Sequence, residues 1–200
     1  MIFYSNVHAF YNGIAQENYN NFKILSKRFS ELTNGGLAWD FGNHTQKENE
    51  TYQNTHHEMQ KQCIISIVFL VMAIESLIND YGFVHLGEKR FNELDRNSIK
   101  DKIKDFYFEV TGGNFPTDKV LFQQINDLVS IRNNLVHSKT LSIDLNLMMQ
   151  DTKEADEAFF SYINSIFGNS KEKKSKQKHM YEVLDSAHGA YEDLMVFLID

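Results

Sequence analysis

The stretch QCIISIVFLVMAI, residues 62–74, is the most apolar segment of the chain. Because apolar residues occupy nearly every position, a helix formed here has to be buried on all sides. Glu75 interrupts the run, which leaves fewer than the roughly 20 apolar residues that a helix needs to span a bilayer. The segment therefore predicts the central core helix of a protein that does not enter a membrane.

On both sides of this run, apolar residues recur at three- and four-residue spacing. No alternating apolar and polar segment bounded by turn pairs indicates a sheet. The sequence therefore predicts an all-α fold, a compact bundle of about five to six helices. The predicted helices cover residues 5–32, 55–81, 98–110 and 116–136, one helix between 141 and 168, and a last one at 179–198.

The segments between these helices are polar. Residues 35–54 predict a loop anchored by Trp39 and Phe41, and Gly82 predicts the C-terminal cap of the core helix. The lysine-rich residues 169–178 predict a second, solvated loop. With one proline and ten glycines there is little linker material, so residues 1–200 are expected to form one domain.

Composition limits the location and the partners of the chain. The net charge of −7 argues against a surface coated in basic residues, which is the usual mark of non-specific nucleic-acid binding, but it leaves room for a local basic cleft. Cys63 has no second cysteine to pair with, which fits a reducing compartment. Together with the absence of a signal pattern in MIFYSNVHAFYNG, this predicts a cytoplasmic protein.

The helix at 116–136 carries one residue of the wrong polarity. At about 100° per residue, Arg132 lies near 20° when Leu121 is set to zero, whereas Asn133 and His137 lie on the polar side between about 120° and 160°. The apolar stripe around Arg132 is formed by Leu121, Ile125, Leu128, Leu135 and Val136. An arginine in such a stripe needs a carboxylate partner or a wet interface, because its charge is costly to bury alone.

Glu75 is the candidate partner, since it is the only acidic residue between positions 60 and 78. A guanidinium can hold a carboxylate through two parallel hydrogen bonds, so we expect Glu75 and Arg132 to link two core helices. Such a pair can equally be a scaffold ion pair, and Arg132 can extend its head to the surface. His137 near the helix end can be a simple capping or surface histidine.

The run Arg132-Asn133-Asn134-Leu135-Val136-His137 resembles the motif of the HEPN (higher eukaryotes and prokaryotes nucleotide-binding) superfamily, which is an arginine, a polar residue, a short spacer and a histidine. AIESLIND, residues 73–80, is similar to the family's helix that carries an acidic residue. The resemblance implies a compact helical domain that commonly forms homodimers. Two motifs then meet across the dimer interface, which would bring together groups that lie apart on one helix.

The resemblance further implies a metal-independent endoribonuclease of toxin or phage-defence type, without a cofactor, acting on RNA and restrained by an antitoxin or regulatory protein. His137 would be the acid or base, Arg132 the phosphate clamp, and Asn133 would orient the phosphate or the histidine ring. Glu75 would support the site, and Lys139 would bind substrate. The alternative is a non-catalytic binding or dimerisation module in which these residues form a structural network.

A metal site has little support in the sequence. Asp185 and His188 form the one near match to the Glu-x-x-His spacing of di-metal helical bundles. His56 and His57 are adjacent, so they point about 100° apart and make a poor chelate. They are better explained as exposed residues at the start of the core helix, and no metal is expected.

Overall fold

A computed structural model of the protein describes residues 6–33, 43–136 and 173–199, with the backbone alone for residues 173–179 and 199. Its helices are α1 (Val7–Leu32), α2 (Gln46–Leu94), α3 (Ile99–Thr111), α4 (Val120–Val136), α5 (Lys173–Ala187) and α6 (Ala190–Ile199). No strand occurs within these ranges, so the predicted all-α fold is confirmed.

The middle of α2 is the centre of the core, as its sequence predicts. Its fully buried side chains include Cys63, Ile67, Leu70, Ile74, Leu77 and Ile78. Each apolar side chain of this size stabilises the fold by about 1.5–3 kcal/mol when it leaves water. The buried residues of the other described helices join the same cluster. The helices α1 and α2 pack antiparallel, because Tyr11 contacts Phe69 whereas Phe29 contacts Tyr52. Ser66 Oγ fixes that packing by donating to the Ala15 carbonyl at 2.9 Å.

The apolar part of α2 is longer than the sequence prediction allowed. It contains an 18-residue window of mean hydropathy 2.0, so by length and composition alone the helix could cross a membrane. Half of that window is buried inside the protein, as in the core helix of a soluble protein. Length alone therefore does not exclude a membrane span, and the burial of half the window is what supports the predicted core helix.

The start of α2 also differs from the prediction, because residues 46–54 are helical and not part of a loop. Thr45 and Glu48 form a capping box: the Thr45 side chain accepts from the Glu48 backbone N–H, and Glu48 Oε2 accepts from the Thr45 backbone N–H at 2.8 Å. This pairing satisfies donors that a helix start otherwise leaves open. The predicted anchors Trp39 and Phe41 lie outside the described residues.

Gly82 does not end α2. It is helical and buried, and the Phe106 ring of α3 lies so close that any Cβ at position 82 would overlap it. The helix breaks instead at Gly87, where φ is 73° and ψ is 163°, and a further helical segment runs to Leu94. Gly82 therefore serves the packing of α2 against α3, and Gly87 is the glycine that its backbone conformation requires.

The ends of α3 follow the sequence closely. Ser98 is the N-cap, with its side chain accepting from the Asp101 backbone N–H, and Gly112 ends the helix in the left-handed conformation at φ 72°. The next helix, α4, begins at Val120, a few residues after the predicted start at 116.

The C-terminal region was predicted less well. Residues 173–178 belong to α5 and not to a lysine-rich loop, and the predicted last helix is divided by a turn at His188 and Gly189. The helix predicted between 141 and 168 and the remaining loop residues 169–172 lie outside the described residues.

Candidate functional site

Arg132 lies on the core side of α4, at the level where that helix leaves the core. Ile125 and Leu128 are buried with no exposed surface, and Phe122 and Val129 widen the buried face beyond the predicted stripe. After Val129 no residue of α4 is buried. Val136 is 55% exposed, so its place in the stripe was predicted wrongly. The arginine therefore sits where the apolar face meets the surface.

The predicted contact between Arg132 and Glu75 is present. Arg132 Nη2 lies 3.6 Å from Glu75 Oε2, and the two side chains are 22% and 39% exposed. This separation makes an ion pair but exceeds the length of a normal hydrogen bond, so the two-bond fork expected from sequence is not formed. The Arg132 Nε atom is buried and finds no hydrogen-bond partner among the described residues.

The other members of the predicted site are only partly placed. Asn133 is exposed on α4. Asn126 lies about two turns earlier on the same face of α4 but is partly buried, and its Oδ1 has no hydrogen-bond partner in the described part of the chain. His137 and Lys139 lie outside the described residues. The structure thus brings together Glu75 and Arg132, with Asn133 next to the arginine in the chain.

This arrangement is suited to binding an anion. A guanidinium has five N–H donors and no acceptor, and it keeps its charge at any physiological pH. Glu75 balances the charge of Arg132 from 3.6 Å, which is beyond hydrogen-bond length, so it does not engage the guanidinium N–H donors in short hydrogen bonds. A phosphate oxygen could therefore accept from the Nη donors of Arg132, which form no short hydrogen bond to Glu75 in the described part of the chain.

Asp185 and His188, the near match to the Glu-x-x-His spacing of metal sites, have other partners in the structure. Asp185 accepts from Tyr19 Oη at 3.0 Å and from Lys23 Nζ at 3.1 Å. The His188 ring stacks on Tyr19 with centroids 4.3 Å apart. In the part of the chain that the structure describes, no three His, Cys, Asp or Glu side chains are grouped to hold a metal ion.

His56 lies well inside α2 and not at its start, because the helix begins ten residues earlier, at Gln46. Its ring stacks on Phe29 at 5.2 Å and lies 6.0 Å from the Tyr52 ring. Burial first, and the neighbouring His57 second, lower the pKa of His56. Of the pair, only His57 is exposed as predicted.

Lys102 is a buried cation that the sequence reading missed. It is 4% exposed, and its Nζ donates to Asn79 Oδ1 at 3.0 Å and to Asp95 Oδ1 at 2.5 Å. The signal was available, because Lys102 falls at about −60° from Ile99 and shares the face of α3 that Ile103 and Phe106 bury. It is the same kind of anomaly that draws attention to Arg132.

The candidate site is therefore defined by the geometry of its own residues, with the ion pair of Arg132 and Glu75 as its observed part. The HEPN resemblance stays a prediction. Comparison of the chain with protein-family models, with curated proteins and with solved structures gave no match.

Proposed function

We propose that this chain is a metal-independent endoribonuclease of HEPN type that acts in the cytoplasm as a toxin or phage-defence component. Arg132 clamps the phosphate, His137 is the acid or base, and Asn133 orients the phosphate or the ring. Lys139 adds a contact to the substrate, and a second copy of the chain completes the site. The observation that carries the proposal is the partly exposed guanidinium of Arg132, held 3.6 Å from Glu75.

The proposed reaction uses the RNA itself as the nucleophile. A base removes the proton of a ribose 2′-hydroxyl, and the 2′-oxygen attacks the adjacent phosphorus. The 5′-oxygen of the next nucleotide leaves and takes up a proton from an acid, which gives a 2′,3′-cyclic phosphate and a 5′-hydroxyl. Arg132 stabilises the negative charge that builds on the phosphate oxygens, so the reaction needs no metal ion.

The acidic balance of the chain fits a local binding site better than a broad one. With a net charge of −7, long-range attraction of RNA is weak, and affinity has to come from a few short contacts. We therefore expect binding to weaken only modestly with salt, because few phosphates are neutralised.

The test is cleavage of mixed RNA by the purified protein in EDTA, with the ends of the products identified. We expect 2′,3′-cyclic phosphate ends and no cleavage of the same sequence as DNA. His137→Ala should slow cleavage by about 100-fold or more, because general acid–base catalysis contributes at least that much. His57→Ala is the matched control, since His57 is exposed on another helix and should leave the rate unchanged. Equal cleavage by wild type and His137→Ala would refute the catalytic assignment.

The second candidate is a non-catalytic module, and one observation favours it: Arg132 and Glu75 join α4 to α2, as a scaffold ion pair does. Because both side chains are partly exposed, the pair should stabilise the fold by no more than about 1 kcal/mol. Glu75→Gln should therefore lower the midpoint of urea unfolding slightly. Absence of cleavage by the wild type favours the module, whereas cleavage that is lost in Arg132→Ala and kept in Arg28→Ala favours the nuclease.

A further inference from the structure

We propose that residues 88–95, the end of α2 together with its C-cap Asp95 and here called the arm, take two positions about a hinge. In the bent position, which the structure shows, the arm lies against α3. In the extended position Gly87 is helical and α2 continues straight beyond it. This inference concerns another part of the molecule and does not depend on the proposed nuclease.

Gly87 is the hinge. Its dihedral angles, φ 73° and ψ 163°, fall in a region that is open almost only to glycine, while the residues on both sides are helical. One change in the backbone of a single residue therefore separates the bent helix from a continuous one. A Cβ placed on Gly87 would meet no atom within 4 Å, so a substitution there adds conformational strain without a steric clash.

The arm is held only loosely by packing. No residue from 83 to 98 is buried, and in the arm only Phe91 and Leu94 pack against the core as partly buried side chains. The Phe91 ring lies 5.7 Å from the Phe106 ring of α3. Arg90 pairs with Glu109, but both side chains are exposed enough for water to weaken the attraction. Apolar packing therefore contributes little to holding the arm in the bent position.

Lys102 is the latch. Its buried ammonium donates to Asn79, which precedes the hinge, and to Asp95, which ends the arm. A single cation thus holds both sides of the bend. When the arm leaves, Lys102 loses its carboxylate while it remains in the core, and an unpaired buried charge is unfavourable. The bent position therefore depends on the contact between Lys102 and Asp95.

Opening of the arm has two consequences. It exposes the aromatic contact between Phe91 and Phe106, which creates an apolar surface that the bent form covers. It also leaves Lys102 beside Asn79, one helical turn beyond Glu75 on α2.

The test is a distance measured by electron spin resonance between labels at positions 57 and 89, both exposed and on opposite sides of the hinge. A continuous helix places these positions about 48 Å apart, from 1.5 Å per residue. We expect a shorter main distance in the wild type. Gly87→Ala should raise the ratio of extended to bent molecules about tenfold, because the bent conformation becomes strained. The buried Cys63 is shielded from labelling.

Gly13→Ala is the matched control, because Gly13 lies in α1 with equally open surroundings and without a positive φ. It should leave the distance unchanged. If Gly87→Ala does not fold, Lys102→Met decides the question: a shift toward about 48 Å supports the latch. An extended fraction no larger than that of the wild type, in a folded Gly87→Ala or a folded Lys102→Met protein, would overturn it.

Discussion

At the scale of single residues, Tyr19 shows how a partly buried polar contact changes a titration. Its pKa is raised to about 12, first by burial and then by the hydrogen bond and the charge of Asp185. The phenol is therefore held neutral in the fold, and its contribution to stability is present below pH 10 and lost as the pH rises through about 12.

We expect Asp185→Asn to lower the pKa of Tyr19 without returning it to 10, because burial is the largest cause and remains. Spectrophotometric titration of the phenols checks this, with Tyr19→Phe used to identify the signal of Tyr19. A pKa of Tyr19 that does not move in Asp185→Asn would contradict the role given to the carboxylate.

The sequence predicts those features of the candidate site that depend on positions within one helix. The angular position of Arg132 and the scarcity of acidic residues in the apolar run were enough to predict its contact with Glu75, which is confirmed. The length of that contact depends on the spacing of α2 and α4, which no local pattern contains. Lys102 could have been found by the same angular argument, but its partners Asn79 and Asp95 lie on another helix.

At the scale of the elements, α2 shows which helix boundaries a sequence predicts. The apolar periodicity predicts its buried middle, whereas its first residues are polar and predict a loop. The signal that decides them is Thr45 followed by Glu48, which forms the capping box. At the other end the sequence predicts a stop at Gly82, but this residue is helical, and a Cβ there would overlap the Phe106 ring of α3, which is a tertiary contact.

The capping box gives a prediction with a control in the same helix. Thr45→Ala removes the side-chain acceptor for the Glu48 N–H and should destabilise the fold by about 1 kcal/mol. Thr51→Ala, within the same helix, should have the opposite sign and stabilise the fold by about 0.5 kcal/mol, because alanine is the better residue inside a helix. Urea unfolding measures both. Equal effects of the two substitutions would contradict the assignment of Thr45 as the cap.

At the scale of the whole molecule, the contacts that close the bundle lie far apart in sequence. His8 Nδ1 lies 2.5 Å from the Tyr191 hydroxyl, and Asn12 Nδ2 donates to Glu192 at 3.0 Å, so the two ends of the described chain meet. Helical periodicity predicts a buried face on each helix but not which helix covers it. The all-α class could therefore be predicted, whereas the pairing of α1 with α6 could not.

Global stability should depend on pH through His56, whose pKa is lowered in the fold by burial and by His57. An unfolded histidine takes up a proton near pH 6.5, while His56 in the fold takes it up only at lower pH. The unfolded state thus binds more protons in this window, so the free energy of unfolding falls as the pH drops below about 6.5. His56→Phe keeps an aromatic ring beside Phe29 and Tyr52 but cannot be protonated. Urea unfolding between pH 5 and 7 should therefore show a smaller loss of stability in His56→Phe than in the wild type, and the same loss in both proteins would show that His56 does not carry this dependence.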